Sequence, residues 1–272
     1  MNPMANTDAL TDETAPPEKP FFNSAREFFD GVALLTKFAF RFFKEAIRPP
    51  YEFKTIVKQC YSIGYKSFPL VAVTGLIMGL VLTIQSRPTL VDFGAESWLP
   101  AMVAISLIRE IGPVITALIF AGKVGSGIGA ELASMKVTEQ IDAMEVSGIN
   151  PFKYIVVTRV LSATFMLPVL VIVADSIGLF GSYVGVNIKG DVSFQLFMYQ
   201  VFQKLAFSDI IPAMTKTFFF GFAIGIIGCY KGYNANKGTE GVGEAANSAV
   251  VLASLSVFII DMIAVQITSL FS

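Results

Sequence analysis

Five long apolar runs set the terms for how this chain can fold. Residues 67–86 (SFPLVAVTGLIMGLVLTIQS) lie between Lys66 and Arg87 without a charge, and 160–188 carry only Asp175. A third run, 104–122, contains the adjacent pair Arg109 and Glu110. A fourth begins near Ile210, is interrupted by Lys216 and continues through 217–230, and the last, 245–272, is broken only by Asp261. A bilayer core about 30 Å thick takes roughly 20 apolar residues per helix, so each run is long enough to span it. With 54% hydrophobic and 15% charged residues and a mean hydropathy of +0.64, the chain is more apolar than filling a soluble core requires. The expected fold class is an all-α membrane protein with five transmembrane helices.

The segment before the first span reads differently. Residues 1–20 are acidic and proline-rich, unlike a signal peptide, and are expected to form a disordered tail. In 21–48, Arg26, Asp30, Lys37, Arg41, Lys44 and Arg48 recur at helical spacing, with Phe29, Val32, Phe40, Phe43 and Ile47 largely opposite. This predicts an amphipathic helix in the membrane interface, stopped by Pro49-Pro50. The five-span domain is then 49–272.

Lysine and arginine orient it. The connections 48–66, 123–159 and 231–237 carry ten of them, against three in 87–98 and 187–209. The positive-inside rule then puts the N-terminus in the cytoplasm and the C-terminus outside. The outer connection DVSFQLFMYQVFQKLAF, with Phe194, Phe197, Met198, Val201, Phe202 and Leu205 at helical spacing, is expected to lie on the outer membrane surface. Small residues four apart (Gly75 and Gly79; Ala121, Gly125 and Gly129; Gly181 and Gly185; Gly221 and Gly225) predict closely approaching helices.

Several chemistries are excluded. The chain has no histidine, which removes the common zinc sites and histidine base catalysis. Cys60 and Cys229 have neither metal nor redox spacing and read as packing residues. The net charge of −1 says nothing about nucleic acid, but a chain this apolar is no candidate to bind it. Gly122-Lys123 is followed by Val124, so the glycine-rich stretch there is not a phosphate loop. Residues 129–146 instead predict one amphipathic helix: Leu132, Met135, Ile141 and Met144 share a side, and Glu131, Lys136, Glu139, Asp142 and Glu145 surround the rest. Such a helix, held at the membrane surface, is suited to dock in another protein's groove.

The run AGKVGSGIGAELASMKVTEQIDAMEVSGINP resembles the signature of MlaE/YrbE-type permeases, the membrane subunits of ABC transporters that move phospholipid with MCE proteins. KGTEGVGEAANSAVV, 237–251, and LIREIGPVITALIFAG resemble two further parts of that family, and the likeness covers roughly 50–272. Lys123 stands where the family more often has arginine. The resemblance implies a homodimer with two ATPase subunits beneath it and an MCE-protein hexamer on the outer face. In some systems a STAS-domain regulator is added. It implies an inner-membrane location and phospholipid transport that maintains outer-membrane lipid asymmetry. The chain itself would be no enzyme and hold no cofactor, ATP and magnesium belonging to the partner ATPase. Glu131, Met135, Lys136, Thr138, Glu139, Asp142 and Glu145 would form the coupling helix.

The charges inside the spans need partners, because each costs a few kcal/mol in hydrocarbon. Glu110, Lys216 and Asp261 are expected to meet as one cation between two carboxylates. Arg109 points about 100° away and needs another partner, from a second copy or a lipid phosphate. Asp175 is expected to satisfy Ser176 or a water. Leu82, Leu90, Phe93 and Leu99 are candidates to line the mouth of a lipid cavity, a role ordinary packing explains equally. The alternative function is an ion- or proton-coupled carrier using Glu110, Lys216 and Asp261 as its relay.

Overall fold

The computed structural model describes residues 20–49, 51–188, 190–236 and 238–271. The predicted tail lies outside them except for Pro20. All regular structure among the described residues is helical. The chain runs α1 (Pro20–Ile47), α2 (Phe53–Asp92), α3 (Glu96–Val137), α4 (Gln140–Val146), α5 (Phe152–Asn187), α6 (Phe194–Lys204), α7 (Phe207–Tyr233) and α8 (Thr239–Phe271). Five of these, α2, α3, α5, α7 and α8, are long and apolar enough to cross a membrane, and they coincide with the five runs.

Residues up to Phe40 and those from Arg41 onward form two compact units. In the first, α1 begins and exposes Phe29, Val32, Leu34 and Phe40 together with Asp30 and Lys37. In the second, α1 ends just before Pro49, whose ring disfavours helix in the residue preceding it. One of the charged residues of the amphipathic pattern is engaged within this unit: the Arg41 guanidinium stacks 4.2 Å from the centre of the Phe152 ring.

In the larger unit α5 is the most buried span, with α2 against one side of it and α7 against another, while α3 packs on α7 and α8. Close approach is what the small residues provide. A β-carbon on Gly75 would lie 2.6 Å from the Ala174 carbonyl oxygen, and one on Gly79 would strike the Gly178 carbonyl. On the α5–α7 seam a β-carbon on Gly221 would sit 2.7 Å from the Ala163 carbonyl oxygen. Between α3 and α7 the same holds for Gly228 against Gly125 at 2.9 Å and Gly232 against Gly129 at 2.6 Å. Backbones in such contact gain dispersion that lipid tails cannot supply.

At the far end, α6 is amphipathic and buries Phe197 and Val201 on a cluster with Leu99, Val103, Ala104 and Val186. Ser193 starts it by accepting a hydrogen bond from the Leu196 amide at 3.3 Å.

Candidate functional site

Pro113 shapes the middle of α3. It has no N–H to offer, and its ring crowds the carbonyl four residues earlier, that of Arg109. The helix responds with a widened turn over Leu107–Ile111, in which the Gly112 amide reaches back to the Leu107 carbonyl. Arg109 and Glu110 ride on that turn. A second widened turn follows at Ala121–Gly125.

Glu110 meets its expected partners. Lys216 donates to Glu110 Oε2 at 2.6 Å and to Asp261 Oδ1 at 2.8 Å, joining α3, α7 and α8. Lys216 lies nine residues into α7, about 14 Å along it at 1.5 Å per residue. Asp261 lies ten residues from the end of α8, about 15 Å. Both fall in the middle of a core about 30 Å thick. The Lys216 side chain is 5% exposed, Asp261 20% and Glu110 40%, so the cation is enclosed and Glu110 keeps one side open. One lysine between two carboxylates leaves a net charge of about −1, which favours a polar neighbour over lipid beside Glu110.

Arg109 has a partner within the chain: its Nη1 lies 3.7 Å from Asp209 Oδ1. The other Asp209 oxygen, Oδ2, accepts the Ala206 amide at 3.2 Å, so one carboxylate both starts α7 and neutralises the arginine. This pairing was not anticipated, because Asp209 reads in sequence as an ordinary helix-starting aspartate. A small cavity of about 30 Å³ lies beside the cluster, lined by Arg109, Glu110, Asp209 and Lys216 among others. That is room for a water or two and far too little for an acyl chain.

Asp175 does not pair with Ser176, whose hydroxyl donates to the Ile172 carbonyl at 2.7 Å. It is 6% exposed, neither carboxyl oxygen has a hydrogen-bond partner among the described residues, and Oδ1 presses on Gly112.

The predicted single helix over 129–146 is two pieces. α3 ends at Val137, Thr138 Oγ1 donates back to the Ser134 carbonyl at 2.8 Å, and Glu139 turns into the left-handed region at φ 58° before α4 starts. The β-branched pair Val137-Thr138 and the local threonine bond weaken helix continuation there. Lys136 bridges the break to Asp142 Oδ1 at 3.0 Å. Leu132 and Ile141 are buried and Met135 half-buried, while Thr138, Glu139, Asp142 and Glu145 stay exposed. Glu131 departs from the group: it forks onto Arg159 of α5, Nη2–Oε1 2.7 Å and Nε–Oε2 3.3 Å. Gly148 at φ +76° then ends α4, with its amide on the Glu145 carbonyl at 3.0 Å.

The four candidate lipid contacts differ in burial. Leu99 is 1% exposed in the cluster under α6, Leu82 and Leu90 pack against that cluster, and Phe93 alone is 80% exposed. Leu99 is thus a core residue under α6, while Leu82 and Leu90 are half-buried at its edge.

The sequence that builds this bundle is similar to those of known proteins. The family described as Permease MlaE matches residues 56–267. The chain belongs to the MlaE permease family. A probable ABC transporter permease protein of Rickettsia conorii is 41% identical over 245 residues, 90% of this chain and 93% of the relative. The protein named intermembrane phospholipid transport system permease protein MlaE in Haemophilus influenzae is 36% identical over 243 residues, 88% of this chain and 93% of its own length. A probable ABC transporter permease protein of Pyropia yezoensis is 35% identical over 208 residues, 76% of this chain and 79% of that protein. As an MlaE-family member the chain is a multi-pass membrane transport subunit of the permease type.

Proposed function

We propose that this chain is the permease of an ABC-type phospholipid transporter in the inner membrane, working as a homodimer above two ATPase subunits. It passes lipid between the membrane and an MCE-protein hexamer on the outer face, and so maintains outer-membrane lipid asymmetry. A STAS-domain regulator on the ATPase is compatible with this assembly. ATP and magnesium act on the partner chains. The observation that carries the reading is 36% identity, over an alignment spanning 88% of the chain, with a relative named for intermembrane phospholipid transport.

In this reading the N-terminus is cytoplasmic and the C-terminus periplasmic, supported by the ten-to-three division of basic residues. The interfacial α1 lies along the cytoplasmic leaflet. The exposed elbow of Thr138, Glu139, Asp142 and Glu145 projects from the cytoplasmic end of the bundle and engages the ATPase groove. Lys216 holds α3, α7 and α8 in one register, and opening of the lipid path changes how Glu110 is covered. Phe93, the exposed member of the outer apolar group, faces lipid or the second copy.

The test is expression with the neighbouring genes, purification through a tag on this chain, and mass spectrometry of retained proteins and lipids. Recovery of an ATPase, an MCE protein and phospholipid is expected. Recovery of the chain alone, without lipid above the detergent background, overturns the reading in favour of a carrier that uses Glu110, Lys216 and Asp261 as an ion relay.

A further inference from the structure

Away from the charged cluster, α2 and α3 part to leave a cleft of about 220 Å³ at the level where their charge-free stretches meet charge. Lys66 directly precedes the run 67–86, and Lys123 directly follows 111–122, so both mark the boundary between hydrocarbon and headgroups at one end of the bundle. The cleft is lined by Gln59, Ser62, Lys66, Ser67, Lys123 and Glu131, among others.

Its charge is positive. Glu131 is the acidic lining residue, and its carboxylate is already forked by Arg159. The Lys123 ammonium donates to the Lys66 carbonyl, which leaves two of its three N–H groups for a ligand. The Lys66 ammonium has no hydrogen bond or ion pair among the described residues. Ser67 supplies an independent sign. It is 2% exposed and its hydroxyl has no partner among the described residues, whereas Thr74 and Ser176, also inside helices, donate to the carbonyl four residues earlier. A buried hydroxyl that declines that local bond and lines a cationic cleft is set to bond something entering it.

We infer that this cleft binds the phosphate of a membrane phospholipid, gripped by Lys66 and Lys123 and hydrogen-bonded by Ser67. A phosphate is the anion whose several oxygens accept from two ammonium groups and a hydroxyl at once. Headgroup depth favours the lipid ester over free phosphate. The site is separate from the Lys216 cluster and stands whether or not the chain transports phospholipid; only the identity of the leaflet rests on the orientation proposed above.

The test uses the complex purified with its co-expressed partners, titrated with phosphatidylglycerol in detergent and read by native mass spectrometry. Lys66→Ala with Lys123→Ala is expected to weaken occupancy of one lipid per chain roughly tenfold or more, the scale of lost charge-assisted bonds. The arginine double replacement, Lys66→Arg with Lys123→Arg, keeps the charge, reports on folding and should retain the lipid. Millimolar inorganic phosphate should not displace it. Unchanged occupancy in the alanine variant overturns the site. Ready displacement by inorganic phosphate overturns the lipid assignment in favour of a free anion. Loss of a co-purifying protein with lipid occupancy intact makes the cleft a protein-docking surface instead. ATP-dependent lipid transfer, read in the same preparations, reports on the proposed function and not on this site.

Discussion

The Asp175 carboxyl group of α5 fills the space that a side chain at position 112 would need, and Gly112 closes the wide turn carrying Arg109 and Glu110. Two buried elements therefore fix each other: the turn leaves room for the carboxyl, and the carboxyl admits only glycine there. Gly112→Ala is expected to destabilise the protein by about 1–3 kcal/mol through overpacking. Asp175→Ala removes the nearer obstacle and leaves the Leu107 carbonyl oxygen at 2.8 Å, so the double variant should recover part of the loss and melt above what the sum of the two losses implies. Thermal unfolding of the four proteins in detergent completes the cycle, and simple additivity would sink the contact.

Lys216 is the element of the cluster that cannot be removed singly. Lys216→Ala leaves Glu110 and Asp261 facing each other without a cation. A fully buried pair loses about 3–5 kcal/mol in such a case, and the open side of Glu110 reduces that to about 1–3. Adding Asp261→Asn should restore part of the loss. A Lys216→Ala protein that melts like the parent, alone and in the pair, would dissolve the network.

Glu139 separates a backbone effect from a side-chain one. Glu139→Gly relieves a non-glycine residue held at positive φ, so its melting temperature should stay level or rise, by up to about 1 kcal/mol in stability. Glu139→Lys and Asp142→Lys, in contrast, should reduce recovery of an ATPase in a pull-down. If the lysine variants recover it in full, the elbow is not the docking element.

The seam between α2 and α5 gives a controlled comparison. Gly79→Ala drives a methyl into the Gly178 carbonyl and should cost about 2–3 kcal/mol. Gly122→Ala meets nothing within 4 Å and should be neutral or slightly stabilising. Equal melting temperatures for the two variants would contradict the packing described.

The five spans were legible because hydrocarbon imposes a length on apolar runs, and the Glu110–Lys216–Asp261 cluster because opposite charges inside a membrane must find one another. The Arg109–Asp209 pair was hidden: it depends on how α3 and α7 lie together, and Asp209 has a local reason to exist as a helix start. The break at Glu139 was hidden as well, since residues 129–146 keep an apolar side across it and no glycine or proline marks the turn. Glu131 looked like a surface residue of the same helix. Its partner Arg159 is 28 positions away and only the fold brings them together. Leu82, Leu90 and Leu99 show the opposite limit, because apolar residues near a span end read alike whether they face a lipid path or a covering helix.

The wide turn at Ala121–Gly125 has a consequence for how α3 moves. Glu110 and Glu131 are 21 residues apart, and an unbroken helix would set them about 60° apart around its axis. One residue absorbed in the wide turn moves that to about 160°, so Glu110 reaches Lys216 on α7 while Glu131 reaches Arg159 on α5. The span is a cranked shaft with two oppositely set pins. Any turn about its axis that draws Glu110 off Lys216 also drives Glu131 against the hold of Arg159, which makes the two ends of the helix a single lever.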